Sequence, residues 1–260
     1  MDKIKYRKEE EMKDSGIEWL GMIPQEWEVT SLRQSLEKPI TDGPHETPKY
    51  VDVGVPFISV DSLSNSSKIV NLDIVNKFIS EEKFNEYNKK TQLKKNDILF
   101  SKSATIGKVA IVDDRKFMTW SPLAIIKSDA KKIYYKLLYY ILSSERYINH
   151  ITSLSNLNTQ LNIGMKVLEK SKLATSPDLT EQQKIANFLD IKTAQLESII
   201  SKKQLLIEKL EEAKKSLITE VVTGKVKIIE GQMVKRKPEE MKDSGIEWLG
   251  MIPQEWEVTS

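Results

Sequence analysis

"DLTEQQKIANFLDIKTAQLESIISKKQLLIEKLEEAKKSLITEVVTGK" occupies Asp178 to Lys225 and holds no proline and, before Gly224, no glycine. The absence of both strong helix breakers predicts one continuous helix, with Gly224 as its natural terminator. Stepping by four and three from Ile185 passes Leu189, Lys192, Leu196, Ile199, Lys203, Leu206, Leu210, Ala213 and Leu217, and eight of these ten positions are apolar. A seam sustained over more than four heptads is the pattern of a coiled coil. Thr180 to Glu220 as a helix would be ~60 Å long at ~1.5 Å per residue, too long for one small domain to cover. Such a stripe asks for a second long helix, which makes Ile185, Leu189, Leu196, Ile199, Leu206, Leu210 and Leu217 the candidate dimer seam.

Upstream the pattern changes. Between Tyr50 and Lys127 short runs rich in Val, Ile and Phe alternate with turn residues: "YVDVGVPFISV", "KIVNL", "NDILFSKS", "GKVAIV" and "PLAIIK". Their length and composition predict a mixed sheet with irregular connections. A helix is expected after Ser80, where an N-cap serine precedes the acids of "SEEKFNEY". A second is expected over Lys131 to Asn149, with Ile133, Leu137, Tyr140, Ile141 and Ser144 on one face. The fold class read from these signals is an α/β (α+β) globular domain followed by a long α-helix that pairs as a coiled coil.

One feature stands outside this pattern. "EEMKDSGIEWLGMIPQEWEVTS" at Glu10 to Ser31 returns without a substitution at Glu239 to Ser260. An identical match of 22 residues at a separation of 229 marks a domain-sized period, far longer than the 20 to 50 residues of solenoids. The chain divides accordingly into an N-terminal segment with the first copy (1–31), a globular domain (32–176), the long helix (177–225), a basic linker (226–238) and the second copy (239–260). Trp19 and Trp27, with their counterparts Trp248 and Trp256, are expected to anchor each copy to a domain surface. In a homodimer the partner brings its own first copy, so the second is expected to be redundant: mobile, or docked where the first would otherwise sit.

Composition narrows the classes. The chain has 260 residues, no cysteine and two histidines, which excludes a disulfide framework and leaves almost no ligands for a structural zinc. No apolar run reaches bilayer length and the charged N-terminus is no signal peptide, so a cytoplasmic protein without membrane partners is expected. Net charge is only +2, but Leu32 to His150 carries 19 Lys and Arg against 14 Asp and Glu, whereas Thr180 to Glu220 carries seven of each. The surplus positive charge sits where a phosphate-facing surface would be built.

Two loops offer polar groups. In "TDGPHETP", Asp42, Gly43 and Pro44 signal a turn, and Thr41, His45 and Thr47 supply short polar side chains. The segment reads either as a tight link between strands or as a loop that carries hydrogen-bonding groups to base edges or phosphates. In "LKKNDILFSKSATIGKVAIV", Ser101, Lys102, Ser103, Thr105 and Lys108 surround Gly107, as groups that hold phosphate oxygens or as an ordinary polar hairpin. The five tyrosines between Tyr134 and Tyr147 could stack on bases, but at helical spacing core packing is the simpler role. His45 and His150 lack a metal or nucleophile partner, so structural roles are expected for both. There is no Walker loop, dinucleotide fingerprint, cysteine nucleophile or histidine-glutamate metal cluster. The order Pro177, Asp178 and then Glu212, Ala213, Lys214 imitates a nuclease triad only loosely, since Ala213 lies in the helical seam. No catalytic residue is assigned, and no metal or cofactor is expected on this chain.

Taken in order, "IPQEWEVTSL", "TDGPHETP", "GVPFISV", "LKKNDILFSKSATIGKVAIV", "EQQKIANFLDIKTAQLESII" and "SLITEVVTGK" closely resemble the specificity subunit, HsdS, of type I restriction-modification systems, over about Ile23 to Lys225. Ala104 departs from the family, where many relatives have glycine, and a second proline usually found near Pro177 is missing. The resemblance implies a target recognition domain joined to a conserved helix, two such units making a full subunit whose antiparallel helices separate the domains. It further implies double-stranded DNA as partner, a methyltransferase subunit (HsdM) that binds S-adenosylmethionine and modifies adenine, and a restriction subunit (HsdR). A chain with one such unit is expected to dimerise and read a palindromic, interrupted site. The competing class is a structural or regulatory coiled-coil protein whose globular domain binds another protein. A free-standing nuclease or methyltransferase is opposed by the missing motifs.

Overall fold

The computed structural model describes residues 6–64, 67–103, 105–154 and 162–259. The chain forms two compact units, 1–191 and 192–260. No helix among the described residues is long and apolar enough to cross a membrane.

The first unit opens with a short hairpin of β1 (Met12–Asp14) and β2 (Met22–Pro24), followed by β3 (Glu28–Ser31). Next come β4 (Thr41–Asp42), β5 (Val55–Ile58) and β6 (Phe78–Ile79), and then α1 (Glu81–Thr91), whose N-cap Ser80 accepts a hydrogen bond from the Lys83 amide. β7 (Ile98–Ser101), β8 (Val109–Ile111), β9 (Met118–Thr119) and β10 (Leu123–Ile126) complete the sheets. One sheet runs β4-β10-β7-β8 with antiparallel neighbours; the other runs β6-β5-β9, its β5 and β9 parallel.

The four-stranded sheet is covered on both faces, which explains why its strands read as unbroken apolar runs. Ile98, Phe100, Val109, Ile111, Ala124 and Ile126 join one core with residues of the following helices, whereas Leu99, Ala110, Leu123 and Ile125 join a second core with Ile58, Leu63, Val70 and Phe117. Of the sequence-predicted strands, "KIVNL" makes only an isolated bridge, Ile69 to Ile111.

The helix expected over Lys131 to Asn149 is two helices, α2 (Tyr135–Ser143) and α3 (Glu145–Ser153). The break falls at Ser144, which takes an extended conformation with ψ 138° and caps α3 by accepting from the Tyr147 amide. Serine competes for backbone partners in this way and so ends one helix while starting the next. The break alters the buried set: Leu137, Leu138, Tyr139 and Leu142 face the core from α2, and Tyr147 and Ile151 from α3. Tyr147 is fully buried, its hydroxyl 2.9 Å from Ser171 Oγ, and burial pushes its ionisation upward. α4 (Met165–Lys170) and β11 (Lys172–Thr175) follow, and β11 pairs with β3 of the first repeat copy.

α5 (Leu179–Val222) is the long helix, 44 residues in one run. Asp178 starts it, its carboxylate accepting from the Thr180 amide at 2.8 Å. Gly224 ends it with φ +69°, the Gly224 amide bonding to Val221 O and the Lys225 amide to Glu220 O, which is a Schellman closure. Three positions at four-residue spacing fasten its beginning to the first unit. Gln182, wholly buried, donates to Ser176 O and Lys132 O and accepts from the Tyr134 amide. Ala186 is also fully buried. Asp190 accepts from Lys68 Nζ, Lys136 Nζ and Tyr140 OH, each at 2.7 Å.

In the second unit the stretch expected as a linker is a β-hairpin, β12 (Val226–Ile229) with β13 (Gln232–Lys235). Glu230 and Gly231 form its two-residue turn, both at positive φ (51° and 80°), the conformation that suits the twist of a tight hairpin. The second repeat copy supplies another hairpin, β14 (Met241–Asp243) with β15 (Met251–Pro253).

Asp190 yields a test. Burial alone would raise its carboxyl, but hydrogen bonds from Lys136, Lys68 and Tyr140 outweigh this and hold it down to about 2, below the ordinary 3.8. Asp190→Asn is expected to cost about 1.5–3 kcal/mol at neutral pH, the range for hydrogen bonds to a charged group. Because the folded-state value is the lower one, the contribution is complete above the ordinary carboxylate range and fades as pH falls toward 2. Chemical denaturation of both proteins across that range should therefore show their stabilities converge on acidification.

Candidate nucleic-acid interface

The two loops singled out in the sequence leave the same end of the four-stranded sheet. Asp42 lies opposite Ala124 and Ser101 opposite Leu123, so β4 and β7 both end beside the start of β10. The loops are joined directly: Lys102 Nζ lies 3.4 Å from Asp42 Oδ2, and His45 Nε2 lies 3.1 Å from the same oxygen. The Asp42 carboxylate is almost fully buried, and Oδ2 meets these two nitrogens at ion-pair distance without a well-directed hydrogen bond.

Within this cluster the candidate residues divide by exposure. Asp42, Ser101 and Lys102 are buried. Ser101 Oγ donates to Thr105 O and accepts from the Lys108 amide, which closes the hairpin between β7 and β8 from inside. The Thr41 hydroxyl is also enclosed and has no hydrogen-bond partner among the described residues. His45, Thr47 and Thr105 face solvent, while Ser103 and Lys108 are half-buried and Lys108 Nζ reaches Val60 O at 3.5 Å. Ala104, the departure from the family pattern, lies outside the described residues.

Two glycines let the loops approach the sheet. A Cβ on Gly43 would stand 2.0 Å from Thr119 O and 2.7 Å from its carbonyl carbon, so only glycine lets this backbone lie against β9. Gly107 has φ +88°, and a Cβ there would press on the Ile148 side chain of α3 at 2.8 Å. The loops are thus held against β9 and α3 rather than standing free.

Further features go beyond the two loops. Arg33, Lys166, Lys170 and Lys172 line an open cavity with Ser31 and the single carboxylate of Glu169. Glu169 is engaged elsewhere, since Oε1 accepts from the Ile40 amide at 2.8 Å. The signal was present as lysines at i and i+4 on α4, but four cations from three elements converge only after folding. His150 stacks on Trp19, ring centroids 5.4 Å apart, and burial lowers its basicity. Asp97 and Lys127 form a buried ion pair in which burial raises the Asp97 carboxyl against the opposing hydrogen bond from Lys127. Among the described residues no group of three or more His, Cys, Asp or Glu side chains is placed to hold a metal.

Gly43→Ala tests whether the approach is required. The added methyl meets backbone rather than a mobile side chain, so a loss of about 1–3 kcal/mol in urea denaturation is expected, as for overpacking elsewhere.

The chain is similar to known proteins in sequence and in fold. The family described as type I restriction modification DNA specificity domain matches residues 24–209. A Methanocaldococcus jannaschii protein assigned as the MjaX specificity subunit of a type I restriction enzyme is 28% identical over 261 residues, covering 98% of this chain and 56% of its own length. The MjaVIII specificity subunit of the same organism is 25% identical over 217 residues, covering 80% of this chain and 48% of its own. The chain therefore spans about half the length of the curated relatives it matches. The HsdS subunit from Thermoanaerobacter tengcongensis has the same fold with a TM-score of 0.53 at 11% identity, covering 86% of this chain and 52% of that one. With the match running from Pro24 in the first repeat copy, through both loops, to Lys209 in α5, the chain belongs to the type I restriction modification DNA specificity domain family.

Proposed function

We propose that this chain is the DNA-reading, non-catalytic half of a type I specificity subunit: it recognises half of an interrupted site, and a homodimer recognises the whole. The observation that carries the reading is the family match over one recognition unit and the first part of one helix. Its physical basis is a division of labour in the loop cluster. Buried Asp42, Ser101 and Lys102 hold the loops in shape, while exposed His45, Thr47 and Thr105, with Lys108, meet base edges or phosphates. Arg33, Lys166, Lys170 and Lys172 offer a second place for backbone phosphates.

The helix supports the dimer. Leu196, Ile199, Ile200, Leu206, Ile207, Leu210, Leu217 and Ile218 remain 42–65% exposed, whereas Gln182, Ala186 and Asp190 are spent on the first unit. Full burial of such side chains is worth about 1.5–3 kcal/mol each, so the uncovered stripe favours pairing with the same helix of a second chain. Ile200, Ile207 and Ile218 broaden the stripe beyond a strict two-position seam, which suits burial by more than one helix. On this reading α5 of each copy, paired antiparallel, sets the two recognition units apart. A methyltransferase subunit carrying S-adenosylmethionine and a restriction subunit act on the positioned DNA in the cytoplasm.

The deciding experiment is expression of the chain with its methyltransferase subunit, followed by genome-wide mapping of methylated adenine. A symmetric, interrupted motif is expected, and absence of any modified motif refutes the reading. Leu206→Asp combined with Leu210→Asp should return a light-scattering mass of one chain, against two for the unchanged protein; a mass near 30 kDa for the unchanged protein at micromolar concentration, unaltered by the methyltransferase subunit, removes the dimer. Loss of Lys166 and Lys170 should weaken binding alike on all sequences and flatten the salt dependence by about one unit of slope per phosphate contact. Loss of His45 or Thr47 should instead relax preference at one base position.

A further inference from the structure

The two repeat copies fold alike in two different surroundings. Met12, Lys13 and Asp14 pair with Pro24, Ile23 and Met22, and Met241, Lys242 and Asp243 pair with Pro253, Ile252 and Met251. Gln25 donates to Met12 O at 2.8 Å and Gln254 to Met241 O at 3.0 Å; the Gly16 amide donates to Asp14 and the Gly245 amide to Asp243. Even outside the identical 22 residues, the ion pair of Arg7 with Glu26 recurs as Arg236 with Glu255. The copies are one module used twice.

They differ in what they touch. The first copy lays Trp19 on His150 at 5.4 Å and edge-on to Tyr147 at 5.6 Å, and its β3 pairs with β11 over Lys172–Thr175. The second copy seats Pro253 and Trp256 against Gly224 at the end of α5. Its other face is uncovered: Trp248, the counterpart of Trp19, is 82% exposed, and Glu257–Thr259, the counterpart of most of β3, makes no strand. The surface complementary to that face is known, because an identical sequence in the same conformation already occupies it on the recognition unit.

We propose that the second copy of one chain docks by its Trp248 face on the Trp19 cradle of a second copy of this chain, displacing the first copy there and bridging the dimer. The proposal rests on the dimer reading above. The N-terminal claimant has the advantage of direct connection, since β3 runs without a linker into buried Leu32, and even a short flexible link would be worth about millimolar effective concentration. Once two α5 helices pair, the C-terminal claimant is tethered as well, and it retains its seat on Gly224 while it docks. Identical contacts cancel between the claimants, so tether geometry alone sets the balance, and each recognition unit carries a built-in exchange between an open and a bridged state.

The chain has no cysteine, so engineered pairs report occupancy cleanly. Glu18 and Ser153 line one cavity with Trp19 and His150, and Glu247 is the counterpart of Glu18. The full chain carrying Glu247→Cys with Ser153→Cys, treated with a short bismaleimide, is expected to give a covalent dimer on denaturing gels; Glu18→Cys with Ser153→Cys is expected to link within one chain. Adding Trp19→Ala to the first pair should raise the dimer yield, and adding Trp248→Ala should abolish it. A light-scattering dimer whose Glu18 pair links but whose Glu247 pair stays uncrosslinked, or links only within one chain, overturns the exchange and leaves the dimer standing. A chain that is monomeric by light scattering, with and without the methyltransferase subunit, overturns both.

Discussion

The attachment of α5 to the first unit is the interaction on which the rest of the structure depends. Gln182, Ala186 and Asp190 recur every four residues, so they occupy one face of the helix. Gln182 satisfies both donor and acceptor groups of a wholly buried amide, and Asp190 collects three donors at 2.7 Å. An unmade bond at either position would leave a costly buried polar group, so these contacts specify one docked geometry where an apolar contact would tolerate several. Beyond this attachment the apolar stripe of the helix, from Leu196 to Ile218, stays uncovered.

The same polar character explains what the sequence conceals. The stop of α5, the cap at Ser80 and most strands were legible because each rests on local chemistry: a glycine at positive φ, a serine before acids, an apolar run of strand length. The docking face was not, since a glutamine and an aspartate eight residues apart look like solvated positions until their partners from elsewhere are in place. The break at Ser144 was hidden for a related reason. The apolar periodicity of Lys131 to Asn149 continues across it, and the Ser144 hydroxyl marks the break, donating to Ile141 O at the end of α2 and accepting from the Tyr147 amide at the start of α3. In the stretch Val226–Lys235 the basic composition suggested a linker, while the Glu230–Gly231 turn carried the hairpin signal.

The candidate site was legible as loops but not as side chains. Residue type predicts that Thr, Ser, Lys and His on turns make polar contacts; it does not say whether the partner is solvent, nucleic acid or the protein itself. Ser101 and Lys102 illustrate the ambiguity, for the hydroxyl serves Thr105 O and the Lys108 amide, and the ammonium lies beside buried Asp42. A buried charge with an opposite partner is costly to disturb, and it fixes geometry more surely than it adds stability. The interior members of the cluster thus belong to the scaffold of the loops, and the exposed members, His45, Thr47 and Thr105, are held on that scaffold facing solvent.

The repeat shows how far local sequence alone can determine structure. The first copy is surrounded by a folded domain and the second by the end of a helix, yet hairpin register, the Asx-type bond from the glycine amide to Asp14 or Asp243, and the glutamine bond to the methionine carbonyl are all preserved. These bonds close within the module, so the hairpin keeps its register in both settings, while the strand that follows it forms only where β11 is there to pair. The tryptophans do depend on them: Trp19 finds a cradle and Trp248 does not. A module whose bonds close internally but whose tryptophan finds cover only at Trp19, against His150 and Tyr147, keeps its shape in two settings and its anchor in one.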